Sequence, residues 1–335
     1  MEVFLRSPNW IGDCVMAIPA IRALKDLNPE IKIVLVTKIS LKAVFENIRE
    51  IDRMILISGR SDPLNLAKDI RHLKSFKIRT GLLFTNSFIS AFLFRLAGVK
   101  ALTGYIRDMR GFLLKKKIRF PGSGVHQKDF YMELVKIFTE KATISEYSDR
   151  LEISKNEKVN IIKKLSEAGI NPKNFFIGIS PFTAYGEAKQ WPAFKFSELI
   201  NKIKNEIVDS EILLFGAPSD KENIKSITRD SENKTFEITD GFSLREAITT
   251  ISLCRVFISN DSGLLHVASA LNIPAIGIFG PTLPEKTAPT KKNVRIIYKS
   301  ADCSPCKHRI CPIDHRCMAS IGTEEVYSTL HEILN

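Results

Sequence analysis

Short apolar runs alternate along the chain with longer stretches in which apolar residues recur every three or four positions. Residues 3–6 and 31–37 are nearly continuous apolar runs, whereas residues 15–27 place their apolar side chains largely on one side of a helix. Runs of the first kind predict buried parallel strands, and those of the second kind predict amphipathic helices. The chain is therefore predicted to begin with a strand, a loop at residues 7–12, a helix and a second strand.

The same alternation continues along the chain and falls into two series. Further strands are predicted at residues 53–57, 81–84, 175–180, 211–215, 256–259 and 275–279. The stretch between residues 141 and 174 is polar and predicts a helix that ends at Gly169. The pattern predicts an α/β protein with domains at residues 1–165 and 170–322, followed by a closing helix at residues 323–335.

Composition adds one unusual feature, the charge. The 335 residues are 44% hydrophobic and 26% charged, which is typical of soluble globular proteins of about two domains. The formal net charge of +12 favours an anionic partner, such as nucleic acid, an anionic membrane surface or a phosphorylated substrate, unless it reflects only a basic proteome. No signal-peptide pattern or membrane-spanning run is present, so a cytoplasmic protein is predicted, and its six cysteines are not expected to form disulfides.

The basic residues are concentrated between residues 95 and 119. Eight of them oppose a single acid, Asp108, which gives the segment a net charge of +7. They are Arg95, Lys100, Arg107, Arg110, Lys115, Lys116, Lys117 and Arg119. A charge run is often only a solvated surface, but near an anionic leaflet each Lys or Arg gains about 1 kcal/mol. Nucleic acid is less favoured, because no helix-turn-helix, RNA-binding or zinc-finger pattern accompanies the charge.

A candidate ligand site lies between residues 256 and 290. The strand at 256–259 is followed by the turn cluster Asn260-Asp261-Ser262-Gly263 and by a helix with His266 in its first turn. After the next strand, Gly280-Pro281-Thr282 opens a second loop. Loops that follow parallel strands meet at one edge of the sheet, where the free N–H groups of a helix start bind anions. An ordinary N-cap and a structural histidine would explain the same residues.

Two further loops carry groups suited to catalysis or phosphate binding. Asp13 follows the first predicted strand, so it is either a helix N-cap or a catalytic carboxylate at the sheet edge. Thr183, Gly186 and Lys189 combine a hydroxyl, a small residue and a cation, which suits a phosphate group. An incidental surface loop has the same composition.

Four cysteines are clustered near the end of the chain, at C-x2-C-x4-C-x5-C spacing with two histidines among them. They are Cys303, Cys306, Cys311 and Cys317, with His308 and His315. Such a set suits a structural Zn²⁺, but the usual second C-x-x-C is missing. A metal-free packed or redox-variable loop is the preferred interpretation.

Three segments together resemble glycosyltransferase family nine, the heptosyltransferases of the lipopolysaccharide inner core. They read SPNWIGDCVMAIPAIRALK at residues 7–25, A-K-x-W-P at residues 188–192, and N-D-S-G-x-x-H-x-A-x-A-L from Asn260, followed by a strand and G-P-T. The opening segment is most similar to members that add the second heptose. The resemblance implies the GT-B fold, in which two Rossmann-like domains with parallel sheets face a central cleft. The acceptor would bind the first domain and the ADP-sugar the second.

The resemblance also implies roles for single residues. Asp13 becomes the general base for the acceptor hydroxyl, and Lys189 binds the donor pyrophosphate. The other residues assigned to the donor are Thr183, Glu222 (ribose hydroxyls, or only the helix dipole), Phe242 (beside adenine), Asp261, Ser262, Gly263 and His266. Those assigned to the acceptor are Asn9, Trp10, Arg107 and Arg110. The family commonly has Gly where this chain has Phe182, which puts close backbone approach to the donor in question.

The activity that the resemblance implies is inverting transfer of L-glycero-D-manno-heptose from ADP-heptose to the inner core of lipopolysaccharide. The second heptose would be added to the first, on heptosyl-Kdo-lipid A. Neither a cofactor nor a metal is expected in the transfer, and no nucleic acid partner is expected. The enzyme would contact the cytoplasmic face of the inner membrane peripherally. A same-family transferase for another nucleotide sugar or heptose position is the alternative, and a basic nucleic-acid-binding protein is a remote one.

Overall fold

The chain folds into two compact units. The computed structural model describes residues 1–122, 124–141, 146–229, 235–306 and 308–335. The first unit is Met1–Arg150 and the second is Leu151–Asn335. Part of the polar stretch predicted to separate the domains, residues 142–145, lies outside the described residues.

The N-terminal unit is built on one parallel sheet, which has six strands in the residues described. The strands are β1 (Glu2–Arg6), β2 (Lys32–Lys38), β3 (Arg53–Ile57), β4 (Thr80–Leu83), β5 (Ala101–Tyr105) and β6 (Lys116–Ile118). The helices are α1 (Ile11–Leu27), α2 (Lys42–Phe45), α3 (Pro63–Lys74), α4 (Phe88–Leu96) and α5 (Gln127–Thr139). The strand order is β3-β2-β1-β4-β5-β6, so the order reverses between β1 and β4.

The C-terminal unit repeats this plan, again with six parallel strands among its described residues. The strands are β7 (Phe175–Ser180), β8 (Ser210–Phe215), β9 (Phe236–Ile238), β10 (Cys254–Asn260), β11 (Ala275–Phe279) and β12 (Val294–Tyr298). The helices are α6 (Lys155–Glu167), α7 (Ala193–Glu206), α8 (Lys221–Arg229), α9 (Leu244–Ile251), α10 (Gly263–Ala270), α11 (Pro284–Thr287), α12 (Arg316–Ala319) and α13 (Thr323–Leu334). The order β12-β11-β10-β7-β8-β9 reverses between β7 and β10.

The predicted opening of strand, helix and parallel strand is confirmed. β1 pairs in parallel with β2, and Val3, Phe4 and Leu5 are fully buried, as expected for a strand covered on both faces. The prediction of a loop through residue 12 was wrong, because α1 already begins at Ile11, with Trp10 as its extended N-cap residue. Asp13 therefore lies in the first turn of α1 and is not the N-cap.

The division between the units comes earlier than the predicted interval between residues 165 and 170. α6 ends before Gly169 as predicted, with Gly169 in the left-handed region at φ 86°, but α6 packs in the second unit. Lys164 of α6 forms a 2.7 Å ion pair with Glu246 of α9, and Arg245 of α9 forms one of 2.5 Å with Glu157. The predicted closing helix is α13, which lies in the second unit with Leu330 in that unit's hydrophobic core.

No helix in the described part of the chain is both long and apolar enough to cross a membrane.

Candidate active site

The groups predicted to bind an anion meet at the carboxyl edge of the C-terminal sheet. β7 and β10 are neighbours at the point where the strand order reverses, and doubly wound sheets bind ligands at such points. Lys189, from the loop after β7, forms a 2.5 Å ion pair with Asp261, which directly follows β10. Thr282, after β11, donates a hydrogen bond of 2.7 Å to the same carboxylate oxygen. The carboxylate therefore joins three loops.

Asp261 is suited to positioning Lys189 and not to contacting an anion itself. Its carboxylate only accepts hydrogen bonds and would repel a phosphate group. The Lys189 side chain is 14% exposed and that of Asp261 is 7% exposed, so the pair is largely shielded from water. The Lys189 ammonium also lies 4.9 Å from the centre of the Tyr185 ring. These contacts fix the cation at the sheet edge before any ligand arrives.

Asn260, the last residue of β10, connects two of the same loops. Its side chain accepts a 3.0 Å hydrogen bond from the Trp191 backbone N–H and donates one of 2.6 Å to the Pro181 carbonyl. Asn260 is fully buried, so these bonds satisfy backbone groups that water cannot reach. They tie both ends of the Lys189 loop to the end of β10. Sequence reasoning did not single out Asn260 or Thr282, although both stand in the quoted N-D-S-G and G-P-T motifs.

The start of α10 faces this edge without a side-chain cap. Ser262 occupies the N-cap position in an extended conformation, but its hydroxyl makes no capping hydrogen bond. That hydroxyl lies 2.8 Å from the Ser259 hydroxyl instead. The N–H groups that begin at Gly263 therefore remain as donors for an anion. His266, one turn further into α10, is buried with 6% exposure.

The Thr183 loop is shaped by its own hydrogen bonds. The Thr183 hydroxyl donates a 2.9 Å bond to the Gly186 carbonyl, and Gly186 adopts φ 146°. A Cβ at Gly186 would lie 2.4 Å from the Arg309 carbonyl oxygen, so only glycine fits there. The side chain of Phe182 is 9% exposed and joins the hydrophobic core, pointing away from solvent. Phe182 therefore contributes core packing.

Glu222 and Phe242, both assigned to the donor, have partners within the protein. Glu222 lies in the first turn of α8 with its side chain 82% exposed and pairs with Lys225 at 2.7 Å. The ammonium of Lys164 lies 4.2 Å from the centre of the Phe242 ring. Glu222 comes after β8 and Phe242 comes after β9, at one side of the sheet. Their predicted contacts with ribose and adenine stay predictions.

In the N-terminal unit, a buried arginine holds the loop that follows β1. The Arg6 guanidinium donates hydrogen bonds of 2.9 Å to the Ser7 carbonyl, 3.2 Å to the Val36 carbonyl and 2.9 Å to the Asn9 side chain. Burial lowers the pKa of Arg6 to about 10, which still leaves it charged near neutral pH. Asn9 is held in place by its bond from Arg6, and its predicted contact with the acceptor stays a prediction. Trp10 beside it is 48% exposed.

Asp13 receives a hydrogen bond from a residue that sequence reasoning did not identify. The Tyr131 hydroxyl of α5 lies 3.2 Å from an Asp13 carboxylate oxygen and accepts a 2.9 Å bond from the Gln127 side chain. Burial, followed by the nearby Asp13 charge, raises the pKa of Tyr131 well above its ordinary value. The phenol therefore stays protonated and donates to Asp13. A hydrogen bond from this hydroxyl fixes the orientation of the half-buried Asp13 carboxylate, as a catalytic base requires.

The two arginines assigned to the acceptor differ in their surroundings. Arg107 is exposed, with its guanidinium 4.2 Å from the centre of the Phe120 ring. Arg110 is fully buried and donates bonds of 2.9 Å to the Tyr105 carbonyl and 2.6 Å to the Thr85 carbonyl. Arg110 therefore holds this part of the chain together, and its predicted contact with the acceptor stays a prediction. A count of charges in the sequence cannot distinguish a buried arginine from an exposed one.

The cysteine cluster packs behind the anion-binding loops. Its four cysteines line one cavity of about 90 Å³, together with His308 and His315. All six cysteines of the chain are free thiols. Among the described residues, which omit Lys307, no group of three or more His, Cys, Asp or Glu side chains is arranged to hold a metal ion. The Cys306 N–H donates a 2.8 Å bond to the Pro281 carbonyl, so this segment supports the Thr282 loop.

The chain was compared with known families and proteins. A model described as glycosyltransferase family 9 (heptosyltransferase) matches residues 67–316. Lipopolysaccharide heptosyltransferase 2 of Salmonella typhimurium is 25% identical over 359 residues, which cover 100% of this chain and 99% of that protein. Lipooligosaccharide heptosyltransferase 2 of Campylobacter jejuni is 25% identical over 343 residues, which cover 99% of each.

A solved structure shares the fold along the whole chain. It is the ADP-heptose lipopolysaccharide heptosyltransferase II of Escherichia coli, with a TM-score of 0.84 at 22% identity, covering 100% of this chain and 98% of that one. The predicted class, α/β with two Rossmann-like domains of GT-B type, is thereby confirmed. The family model spans the loops of Lys189 and Asp261, and Asp13 lies in the region that the full-length relatives cover.

Proposed function

The chain belongs to glycosyltransferase family 9, the heptosyltransferases, and from this premise we propose that it transfers a heptose from ADP-heptose to the inner core of lipopolysaccharide, with inversion at the anomeric carbon. The proposal rests on one group of contacts. The Asp261 carboxylate binds both Lys189 and Thr282 at the point where the strand order of the C-terminal sheet reverses. A shielded cation beside an uncapped helix start suits a diphosphate that must leave with negative charge.

In the proposed reaction, the acceptor hydroxyl loses its proton to Asp13 as its oxygen attacks the anomeric carbon. A bond forms from that oxygen to the anomeric carbon, and the bond from the anomeric carbon to the diphosphate oxygen breaks. Lys189 and the N–H groups at Gly263 take up the charge of the departing ADP. Tyr131 holds the carboxylate of Asp13 toward the hydroxyl.

The donor and acceptor are proposed from the names of the relatives. Two full-length relatives are named lipopolysaccharide heptosyltransferase 2 and lipooligosaccharide heptosyltransferase 2, and the opening segment of this chain resembles members that add the second heptose. We therefore assign the acceptor as an inner core that already carries one heptose. Such an acceptor bears carboxylates and phosphates and is anchored in a membrane, which agrees with the net charge of +12 and with peripheral contact at the cytoplasmic face of the inner membrane.

The test is release of ADP from ADP-heptose, measured with and without a mono-heptosylated acceptor. We expect release that requires the acceptor, and a product one heptose heavier by mass spectrometry. ADP-glucose and ADP-mannose serve as matched donors that share the diphosphate. Faster transfer from either of them would favour a family member with another sugar, and absence of transfer from every donor would contradict the proposal.

A further inference from the structure

Four exposed apolar side chains of the N-terminal unit lie at the end of α4 and in the loop after β5. Met109 is 90% exposed, Phe112 is 72% exposed, and Ile106 and Leu96 are each 47% exposed. We call these four residues the docking patch. Large apolar side chains with such exposure usually mark an interaction surface when they are contiguous.

Ring and side-chain contacts connect the members of the patch. The Phe112 ring lies 6.1 Å from the Phe88 ring of α4, which stacks on Phe92 at 5.9 Å. Leu96 lies one turn beyond Phe92 on the same helix. A Cβ built on Gly111 would lie 3.3 Å from a methyl carbon of Ile106, so that side chain packs against the backbone next to Phe112. Phe112 therefore lies against α4, the helix that carries Leu96, while Ile106 lies beside the backbone of Gly111 and Met109 is three residues before Phe112 in the same loop.

The backbone beneath the patch is held in place. Asp108 and Met109 both adopt left-handed conformations, with φ of 48° and 56°, which turn the chain outward at Met109. The buried guanidinium of Arg110 fixes the turn through the carbonyls of Tyr105 and Thr85. The turn that carries Met109 is therefore held in place before binding. Binding then requires less additional ordering of the backbone.

Exposed cations precede and follow the patch residues along the chain. Those at the surface are Arg95, Lys100, Arg107, Lys115, Lys117 and Arg119, whereas Asp108 is the single acid of the segment. Lys116 is paired with Glu140 at 2.9 Å and Arg110 is buried, so these two do not add to the free surface charge. Apolar side chains among cations match the chemistry of an anionic lipid surface, which has phosphates above an acyl layer.

We propose that the docking patch seats the N-terminal unit on an anionic phospholipid bilayer, with Met109 and Phe112 entering the acyl layer and the surrounding cations lying at the phosphates. This inference deepens the membrane contact of the proposed function by naming the residues that make it. It does not depend on the transfer reaction, because lipid binding is measured without sugar donor or acceptor.

The test is co-sedimentation of the full chain with vesicles of phosphatidylcholine alone or with phosphatidylglycerol added. We expect binding to the mixed vesicles only. The double variant Met109→Ser, Phe112→Ser should bind roughly 10-fold or more weakly, since two apolar side chains no longer leave water. The matched control is Val159→Ser, Val208→Ser, which changes residues of the other unit that are 62% and 82% exposed and should bind as the wild type does.

A charge variant separates the electrostatic contribution to lipid binding from the contribution of the apolar side chains. Lys115→Gln, Lys117→Gln, Arg119→Gln should weaken binding by about 10- to 100-fold at low salt, because each cation near an anionic leaflet contributes about a factor of five. Its control is Lys155→Gln, Lys173→Gln, Lys292→Gln, which removes the same charge elsewhere. Equal losses from the two triple variants would overturn the assignment to the patch, since net charge alone would then explain binding.

Depth of insertion provides a readout that does not depend on affinity. Phe112→Trp should shift its emission to the blue on mixed vesicles and be quenched by brominated acyl chains, after subtraction of the signal from Trp10 and Trp191. Emission unchanged by vesicles would overturn the proposal. A dimer in lipid-free buffer that the Met109→Ser, Phe112→Ser variant dissociates would overturn it in favour of a second copy of the chain.

Discussion

The two sheets share one strand order but carry different chemistry where that order reverses. In the C-terminal unit the loops at this point hold a cation, Lys189, tied to Asp261 and Thr282 beside an uncapped helix start. In the N-terminal unit, α1, the helix that follows β1 at this point, carries a carboxylate, Asp13, that accepts a hydrogen bond from Tyr131. One edge suits an anion, and the other suits removal of a proton.

The difference shows how one scaffold is adapted to two tasks. The parallel sheet brings loop residues to one edge, but the side chains at that edge decide what can bind. An acid in the first turn of α1 opposes anion binding there, whereas Gly263 at the start of α10 leaves the N–H groups open. Variants that change one edge at a time should therefore separate proton removal from donor binding.

The largest effect is expected at the N-terminal edge. Asp13→Asn keeps the side-chain volume but removes the base, so turnover should fall by roughly 10²- to 10⁴-fold while binding of ADP stays near that of the wild type. The measurement is acceptor-dependent ADP release, with calorimetry for ADP binding. Asp129→Asn, an acid in the first turn of α5, is the control and should remain active. A fully active Asp13→Asn enzyme would refute the base assignment.

At the C-terminal edge, Lys189→Ala should impair both donor binding and transfer. Loss of one preorganised cation at a departing diphosphate lowers the rate by roughly 10²- to 10³-fold. Asp261→Asn should have a smaller effect in the same direction, because Lys189 remains but is less firmly placed. Lys299→Ala is the control, since Lys299 directly follows β12 but pairs with Glu325. Unchanged kinetics of Lys189→Ala would exclude Lys189 from the donor site.

Asn260→Ala tests whether the Lys189 loop depends on its attachment to β10. The change leaves the Trp191 N–H and the Pro181 carbonyl without their partner, so the free energy of unfolding should fall by about 1–3 kcal/mol. Because Lys189 is carried by that loop, ADP should also bind more weakly. Asn293→Ala, which removes one 2.9 Å bond to the Ile273 carbonyl, is the control. Both variants should lower the midpoint of thermal unfolding. Only Asn260→Ala should weaken the binding of ADP measured by calorimetry.

The same comparison shows what the sequence could predict. Local periodicity predicted the strand at residues 3–6 and the helix that ends before Gly169, because each depends on neighbouring residues. The assignment of Lys189 and Asp261 to one donor site came from the family resemblance and not from periodicity. Periodicity could not predict their ion pair, which joins residues 72 positions apart and depends on how far each side chain reaches.

Errors in the sequence-based predictions have related physical causes. Helix α6 is amphipathic, with Ile161 and Leu165 buried, but its pattern does not say which sheet it will cover. The domain boundary was therefore placed too late. Arg110 was counted with the exposed cations because burial is set by the fold and not by charge. Tyr131 was missed because it lies 118 residues from Asp13 and carries no motif of its own.

The smallest effect is expected from Tyr131→Phe, which alters the N-terminal edge without removing its carboxylate. Since burial raises the pKa of Tyr131, its hydroxyl donates to Asp13 throughout the usual assay range. A hydrogen bond to a carboxylate favours the charged form, so its loss should raise the pH at which Asp13 becomes active as a base. We expect the acidic limb of the rate profile to move to higher pH, with a several-fold loss near neutral pH and unchanged ADP binding. Tyr327→Phe, which removes a 2.7 Å bond to Glu206, should leave the limb in place. An unshifted limb in Tyr131→Phe would mean that Tyr131 serves only packing and that Asp13 is oriented by other contacts.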